Sequence, residues 1–251
     1  MQLKKLIVCA CAIAACGITA GTAAARDLIR VGTEPTFAPF EFLDTETKEF
    51  TGFDMDLIRA VVDKAGYDVQ ILNMGFDALV PAVMTGTIDV IAAGLSITPE
   101  RAKRVDFTAP YYTSGVSMLI AKKDAGKYKT FDDLKNRVIA VQIGTTGAEK
   151  AKDIAGAQVK SFNTTSEAFM DLMIKGSDAV LLDRPVLGYY LRNQAKAAQV
   201  LTIPPYVADA EEFGFAVKKG NKELLDKLNK AYADLKASGE VQKIYDKWFQ
   251  D

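Results

Sequence analysis

Ala92-Ala93-Gly94-Leu95-Ser96-Ile97-Thr98-Pro99-Glu100-Arg101 is the stretch whose reading decides the fold. It continues an apolar run from Asp89 to Ala93 that predicts a buried strand. The chain then turns at Gly94, presents hydroxyls at Ser96 and Thr98, and brings in Arg101 three residues after the second hydroxyl. Pro99 suits a first helical position, where its missing N–H costs nothing, and Thr98 suits the N-cap before it. Strand, loop and helix start follow one another. In an open α/β sheet, ligands bind in such a place, beyond the carboxyl end of a strand. Unpaired N–H groups, hydroxyls and a guanidinium gathered there make a carboxylate receptor. The same residues would also suit a plain strand-to-helix connection with a solvated Arg101.

Upstream, Leu28 to Gly32 predicts a first strand, followed by a loop through Pro35 and Pro39 that carries Glu34, Phe37 and Phe40. Leu57, Ile58, Val61, Val62 and Ala65 mark one helix face, ended by Gly66. A short strand at Val69 to Leu72 and a helix from Asp77 to Met84 lead to the decisive stretch. This β-α-β-α-β order predicts a parallel open sheet.

Downstream, residues 107 to 117 break the alternation and Ser117 to Lys122 reads as an extended strand. A second βαβ series follows: a short helix in a Thr130/Asp133 capping box, a strand at Val138 to Gln142, and a turn at Gly144-Thr145-Thr146-Gly147 that opens a helix. Then come a strand at Val159 to Phe162, a helix capped by Thr164 and Glu167, and an apolar strand from Ala179 that delivers Asp183 before Pro185. Gly86-Thr87-Ile88-Asp89-Val90-Ile91 is echoed by Gly176-Ser177-Asp178-Ala179-Val180-Leu181. Two similar lobes are the simpler account of that echo. Phe213 to Val217 predicts a last strand, and Lys222 to Lys236 and Val241 to Phe249 two amphipathic helices.

The chain has 251 residues, 49% hydrophobic and 25% charged, which is enough for one large domain or two small ones. Lys4 and Lys5 precede an apolar run from Leu6 to about Ala20, and Ala23-Ala24-Ala25 offers a cleavage site, so residues 1–25 read as a signal peptide of an exported, periplasmic protein. Ile13-Ala14-Ala15-Cys16 also resembles a lipoprotein signal, in which Cys16 would carry the lipid anchor. All 3 cysteines lie in this leader, which excludes a disulfide framework and a cysteine nucleophile after it. The chain has no His, the commonest general base and metal ligand, so no metal or other cofactor is expected. With 31 basic and 32 acidic side chains and no basic block, nucleic acid is not an expected partner.

The candidate site residues sit at strand ends or in loops. Arg101 is the candidate carboxylate clamp, and the N–H of Thr146, at a helix start, could join it from the second lobe. Asp183 could hold an ammonium. Phe37 and Phe76 could wall a side-chain pocket. Each has an ordinary alternative: N-cap for Thr146, cap of the Pro185 helix for Asp183, core for the two Phe, solvated loop for Glu34. Taken together they offer a negative group for an ammonium and a positive one for a carboxylate, and a free amino acid needs both.

The motifs Gly32-Thr33-Glu34, Phe37-Ala38-Pro39-Phe40-Glu41-Phe42, Gly52-Phe53-Asp54, the decisive stretch, Asp106 to Tyr112, Gly144-Thr145-Thr146 and Ile244 to Phe249 resemble those of bacterial extracellular solute-binding family 3. These proteins serve polar amino-acid ABC importers of the glutamine- and arginine-binding type. The resemblance implies a two-lobe venus-flytrap fold of type II, with lobe 1 at 26–112 and 212–251 and lobe 2 at 113–211. It implies two hinge crossings, near Tyr111 to Ser117 and near Ala208 to Phe213. It implies that Arg101, with N–H groups at Ser96 and Thr146, holds an α-carboxylate. The Gly94 carbonyl, the Ser96 hydroxyl and Asp183 would hold the α-ammonium. Phe37 and Phe76 would sandwich the side chain, with Glu34 at its far end, and Gln142 would be a further ligand-binding residue. Glutamine-preferring relatives often carry Asp and Lys at positions 34 and 142, so Glu34 and Gln142 look more like arginine binders. The implied partners are a free polar amino acid and the membrane permease of an importer, with the protein itself a monomer. An amino-acid-processing enzyme of dehydratase type shares this fold and is the competing expectation.

Overall fold

The first strand, β1 (Leu28–Thr33), alternates buried and less buried residues and seeds a sheet. The computed structural model describes residues 26–249; the predicted leader with Cys16 lies outside the described residues. Where a plain loop is predicted after β1, the chain makes a small antiparallel sheet: β2 (Thr36–Phe37), β3 (Glu41–Leu43) and β4 (Phe50–Thr51). Helix α1 (Phe53–Lys64) buries Leu57, Ile58, Val61 and Val62, the predicted face, and β5 (Asp68–Asn73) follows. Helix α2 (Phe76–Thr85) ends at the left-handed Gly86. Strand β6 (Val90–Ile91) is shorter than predicted, because the chain already leaves the sheet towards Gly94. Thr98 caps α3 (Pro99–Ala102) through the Arg101 N–H, with Pro99 in its first turn.

After β7 (Val105–Phe107) comes β8 (Tyr112–Ala121), which starts well before the predicted Ser117. The second series then runs β9 (Val138–Gln142), α4 (Thr146–Lys152), β10 (Gln158–Phe162), α5 (Thr165–Met173) and β11 (Ala179–Asp183). Helices α6 (Arg184–Asn193) and α7 (Ala195–Val200) precede β12 (Leu201–Thr202). The predicted strand at Phe213 to Val217 is two strands, β13 (Ala210–Phe213) and β14 (Ala216–Lys218). Helices α8 (Lys222–Ala237) and α9 (Glu240–Phe249) finish the described chain.

The fold is α/β with two sheet-containing lobes. One sheet has the order β5-β1-β6-β14-β7 and the other β10-β9-β11-β8-β12. Each is parallel at its core, β1 with β5 and β6, β9 with β10 and β11. Neither is purely parallel as predicted: β8 pairs antiparallel with β11 and β14 with β6, because β8 is the chain's outgoing passage between the sheets and β14 follows its return, and neither is entered through a βαβ crossover. Strand β13 pairs antiparallel with the first residues of β8, Phe213 opposite Tyr112 and Ala210 opposite Gly115, so two chain segments pass between the sheets as one ribbon.

The echoed motifs perform the same local task. Asp89 N–H donates to the Arg30 carbonyl at 2.8 Å and its carboxylate accepts the Arg30 N–H at 2.9 Å. Asp178 N–H donates to the Val138 carbonyl at 2.7 Å and its carboxylate accepts the Val138 N–H at 2.9 Å. Each Asp ties the start of its strand to the parallel strand beside it, Asp89 to β1 and Asp178 to β9. Helix α9 returns to the first lobe, where Phe249 packs on Phe40 and Phe53, and Trp248 Nε1 donates to Asp56 at 2.8 Å. No helix among the described residues is long and apolar enough to cross a membrane.

Candidate functional site

Gly94 turns the chain out of the first sheet with φ of +52°, a conformation that favours glycine, and a Cβ here would lie 2.6 Å from the Phe37 ring. The turn lets Phe37, buried against Phe40 and Phe213, close over the Gly94 backbone. Ser96 pairs with Phe213 in an isolated antiparallel bridge. Its ladder bonds are made by neighbours, Ile97 N–H to Glu212 O at 2.7 Å and Gly214 N–H to Leu95 O at 3.2 Å, so the Ser96 N–H stays outside the ladder. The Ser96 carbonyl accepts from Arg101 Nη1 at 2.8 Å.

Arg101 reaches beyond its own lobe. Its Nη2 donates to the Gly144 carbonyl of the second lobe at 3.0 Å, and its guanidinium carbon stands 5.5 Å from the Phe76 ring centroid. Burial lowers the pKa of Arg101, opposed by the negative charges of Glu211, Asp183 and Glu149. Gly144 has φ of +80°, and a Cβ there would come 3.2 Å from Asp77 at the start of α2. A larger residue would hold the lobes apart at this point.

Thr146 is the first residue of α4, and the N-cap is Thr145, whose Oγ1 accepts the Ala148 N–H at 3.1 Å. The alternative reading of Thr146 as N-cap is therefore corrected: its own N–H is a first-turn donor that no helical carbonyl can take. Asp183 stands at the N-cap position of α6 but makes no side-chain cap, which corrects the alternative reading for that residue too. Its carboxylate instead accepts the Ser114 hydroxyl at 2.6 Å and is 5% exposed. Burial raises Asp183 to about 7, with the Glu211 charge adding to the rise and the Ser114 bond and Arg101 charge opposing it.

Glu34 is 4% exposed, so the solvated-loop reading is overturned. Its Oε2 accepts from Thr36 Oγ1 and from Gln142 Nε2, each at 2.7 Å. The second bond crosses between lobes. Gln142 Nε2 also donates to the Asn163 carbonyl at 3.1 Å. Burial raises the Glu34 pKa, and the bonds from Thr36 and Gln142 work against that rise.

Phe37, Phe76, Gly94, Ser96, Arg101, Gln142, Thr145, Thr146 and Asp183 border one small, nearly closed space between the lobes. Eight of the nine residues singled out from the sequence border this space; Glu34 sits one step away, on the Gln142 amide. Wider grooves open elsewhere on the surface, but none of them brings an acid and a guanidinium together. The sequence reading missed Thr145, which borders the space, and Ser114, which holds Asp183. It also missed Asp54, whose Oδ2 accepts the Gly94 N–H at 2.8 Å and the Tyr111 hydroxyl at 2.6 Å. Asp54 and Thr145 stood inside quoted motifs without a role. Nothing in the sequence around Ser114 marks it. Glu41, 1% exposed and with no hydrogen-bond partner among the described residues for either carboxylate oxygen, is pushed well above the usual carboxylate range by burial and by the charges of Asp54, Glu34 and Asp183.

A guanidinium, a buried carboxylate, two aromatic rings and the backbone of Ser96 and Thr146 thus border one space. The profile of bacterial extracellular solute-binding proteins, family 3, matches residues 29–251. The chain is 37% identical to the ABC transporter arginine-binding protein 1 of Escherichia coli (strain K12), over 98% of this chain and 99% of that protein. An ancestral arginine-binding protein solved with arginine is 41% identical, with a TM-score of 0.85 over 89% of this chain and 99% of that one. An ancestral arginine-binding protein solved with glutamine is 42% identical, with a TM-score of 0.85 over 90% of this chain and 99% of that one.

Proposed function

Since this chain belongs to the bacterial extracellular solute-binding proteins of family 3, we propose that its solute is a free polar amino acid, arginine before glutamine, captured between the lobes and delivered to the permease of an ABC importer. The family is one of binding proteins for transport, and the chain is not an enzyme. The dehydratase-like alternative loses its ground accordingly. One observation carries the proposal: Arg101 and Asp183, of opposite charge and from different lobes, border the same small space.

In this reading Arg101 and the N–H groups of Ser96 and Thr146 take the α-carboxylate. Asp183, the Gly94 carbonyl and the Ser96 hydroxyl take the α-ammonium. Phe37 and Phe76 enclose the side chain, and Gln142, oriented by Glu34, meets its far end. Among the described residues that border the space, Arg101 alone is cationic. A ligand guanidinium therefore meets an amide backed by a carboxylate and no competing cation, which favours arginine. The lobes divide at 26–112 with 212–251 and at 113–211, and the ribbon of β8 and β13 serves as the hinge. The protein acts as a monomer in the periplasm, either free or anchored through Cys16.

A thermal-shift screen of the twenty amino acids with ornithine and citrulline tests the proposal. A ligand at 100 times its dissociation constant stabilises by roughly 2.7 kcal/mol. The largest shift is expected with arginine, and no shift with any of them would defeat the reading.

A further inference from the structure

The Thr36 hydroxyl works in two directions at once. It donates to Glu34 Oε2 at 2.7 Å and accepts the Thr165 N–H at 3.2 Å. The Thr165 hydroxyl in turn donates to the Thr36 carbonyl. Thr36 lies in β2 on the first lobe, and Thr165 opens α5 on the second. Thr165 is 1% exposed. Its N–H belongs to the first helical turn, where no intrahelical acceptor exists. Thr164 spends its own cap on the Glu167 N–H at 3.2 Å. The Thr165 amide is thus available to reach across the cleft. Because Gln142 from β9 also donates to Glu34 Oε2 at 2.7 Å, one chain of hydrogen bonds leaves the second lobe at Thr165, passes through Thr36 and Glu34, and re-enters it at Gln142. Neither Thr36 nor Thr165 borders the space that Arg101 and Asp183 share.

We propose that Thr36 and Thr165 form a closure latch: positioning residues that touch no ligand, fix the Glu34 carboxylate, and hold the lobes together once a ligand has drawn them shut. The inference rests on reading the cleft as an amino-acid site. Its consequence is kinetic. Bonds that exist only with the lobes closed stabilise the closed form alone, so they slow departure without speeding arrival. The far end of the site is complete only after closure, so arginine and glutamine are told apart mainly by how slowly each leaves.

Thr36→Val and Thr165→Val keep the side-chain shape and remove the hydroxyl; Thr36→Ser restores it. In stopped-flow binding with arginine and with glutamine, each Val variant should release ligand about 3- to 10-fold faster, the range set by one neutral hydrogen bond. Association should stay unchanged, and Thr36→Ser should return to the parent rate. Spin labels on Glu49→Cys and Lys152→Cys, exposed on the two lobes, report the closed population by pulsed distance measurement with and without arginine. That population should fall in Thr36→Val. Unchanged release rates and unchanged distances in both Val variants overturn the latch, as does a loss confined to association. If the parent binds no amino acid, the reading of the cleft fails separately. The ligand-free distance distributions still decide the latch: a closed population that Thr36→Val lowers supports it, and identical distributions overturn it.

Discussion

Tyr111 donates its hydroxyl to Asp54 Oδ2 at 2.6 Å, and the same oxygen accepts the Gly94 N–H at 2.8 Å. One buried carboxylate thereby joins helix α1, the turn that leaves β6, and the residue before β8. The position of Gly94, and with it the floor of the cleft, depends on that acceptor. Tyr111→Phe removes a hydrogen bond to a carboxylate and should cost roughly 1.5–3 kcal/mol of stability, the range for bonds to charged groups. Urea unfolding at pH 8 reads this directly; a cost near zero would mean that Tyr111 is only packed beside Asp54.

Burial raises Asp54 to about 6 from its ordinary value of 3.8, against the bonds from Tyr111 and Gly94, which lower it. The folded form thus holds this proton more tightly than the unfolded chain. The stability it contributes is full below about pH 4 and is lost as pH rises through about 6. Asp54→Asn removes the titration. The parent should lose stability relative to Asp54→Asn between pH 5 and pH 7.5, and parallel unfolding free energies over that range would contradict the assignment.

Arg101 holds the Ser96 and Gly144 carbonyls with two different guanidinium nitrogens while facing the Phe76 ring. A lysine ammonium is a single point charge and cannot reproduce that fork. Arg101→Ala should weaken amino-acid binding by roughly 2–5 kcal/mol, as for loss of one partner of a buried charge pair. Arg101→Lys should recover only part of it. Titration calorimetry giving near-parent affinity for Arg101→Lys would remove the bidentate clamp from the account.

Asp183 at about 7, raised first by burial, is largely protonated in mildly acidic solution. An α-ammonium seated against it favours the ionised form, so binding should expel a proton. The sign follows from linkage: affinity should rise with pH up to about 7, approaching tenfold per pH unit below it, and level off above. Calorimetry at pH 6 in buffers of different ionisation enthalpy counts the released protons. Asp183→Asn should bind weakly and lose the slope. A parent affinity independent of pH would place the ammonium elsewhere.

The sequence disclosed what depends on local spacing. The Thr98 cap, Pro99 in the first turn, the capping boxes at Thr130 and Thr164, and Asp183 at the end of an apolar strand are all written within a few consecutive residues. The two-lobe division was legible for the same reason, as a βαβ pattern that stops at 107 to 117 and starts again. What stayed hidden depends on residues far apart in the chain. Ser114 meets Asp183 only because β8 and β11 pair antiparallel, with Val116 opposite Asp183. Glu34 is buried where Gln142, 108 residues further along the chain, meets it from the other lobe. Strands β13 and β14 read as one strand because Phe213 to Val217 is continuously apolar or small, and only pairing to different sheets separates them.

In the proposed reading, Glu34 and Gln142 are the pair that chooses between ligands. Arginine and glutamine present the same α-carboxylate and α-ammonium, so Arg101, Ser96, Thr146 and Asp183 cannot tell them apart. Gln142 borders the space, and its amide nitrogen is committed to Glu34 and to the Asn163 carbonyl, which leaves its carbonyl oxygen as the acceptor for a ligand. An ionised Glu34 fixes that orientation and adds a negative field suited to a guanidinium. Glu34→Gln keeps the size and removes the charge. Arginine should then bind more weakly by roughly 1.5–3 kcal/mol, the scale of a charged hydrogen bond, and glutamine by no more than the roughly 0.5–1.5 kcal/mol of a neutral one. Competitive titration of both ligands against both proteins measures the difference. Equal, small losses would mean that the Glu34 charge does not reach the ligand, and the proposed preference for arginine would fall with it.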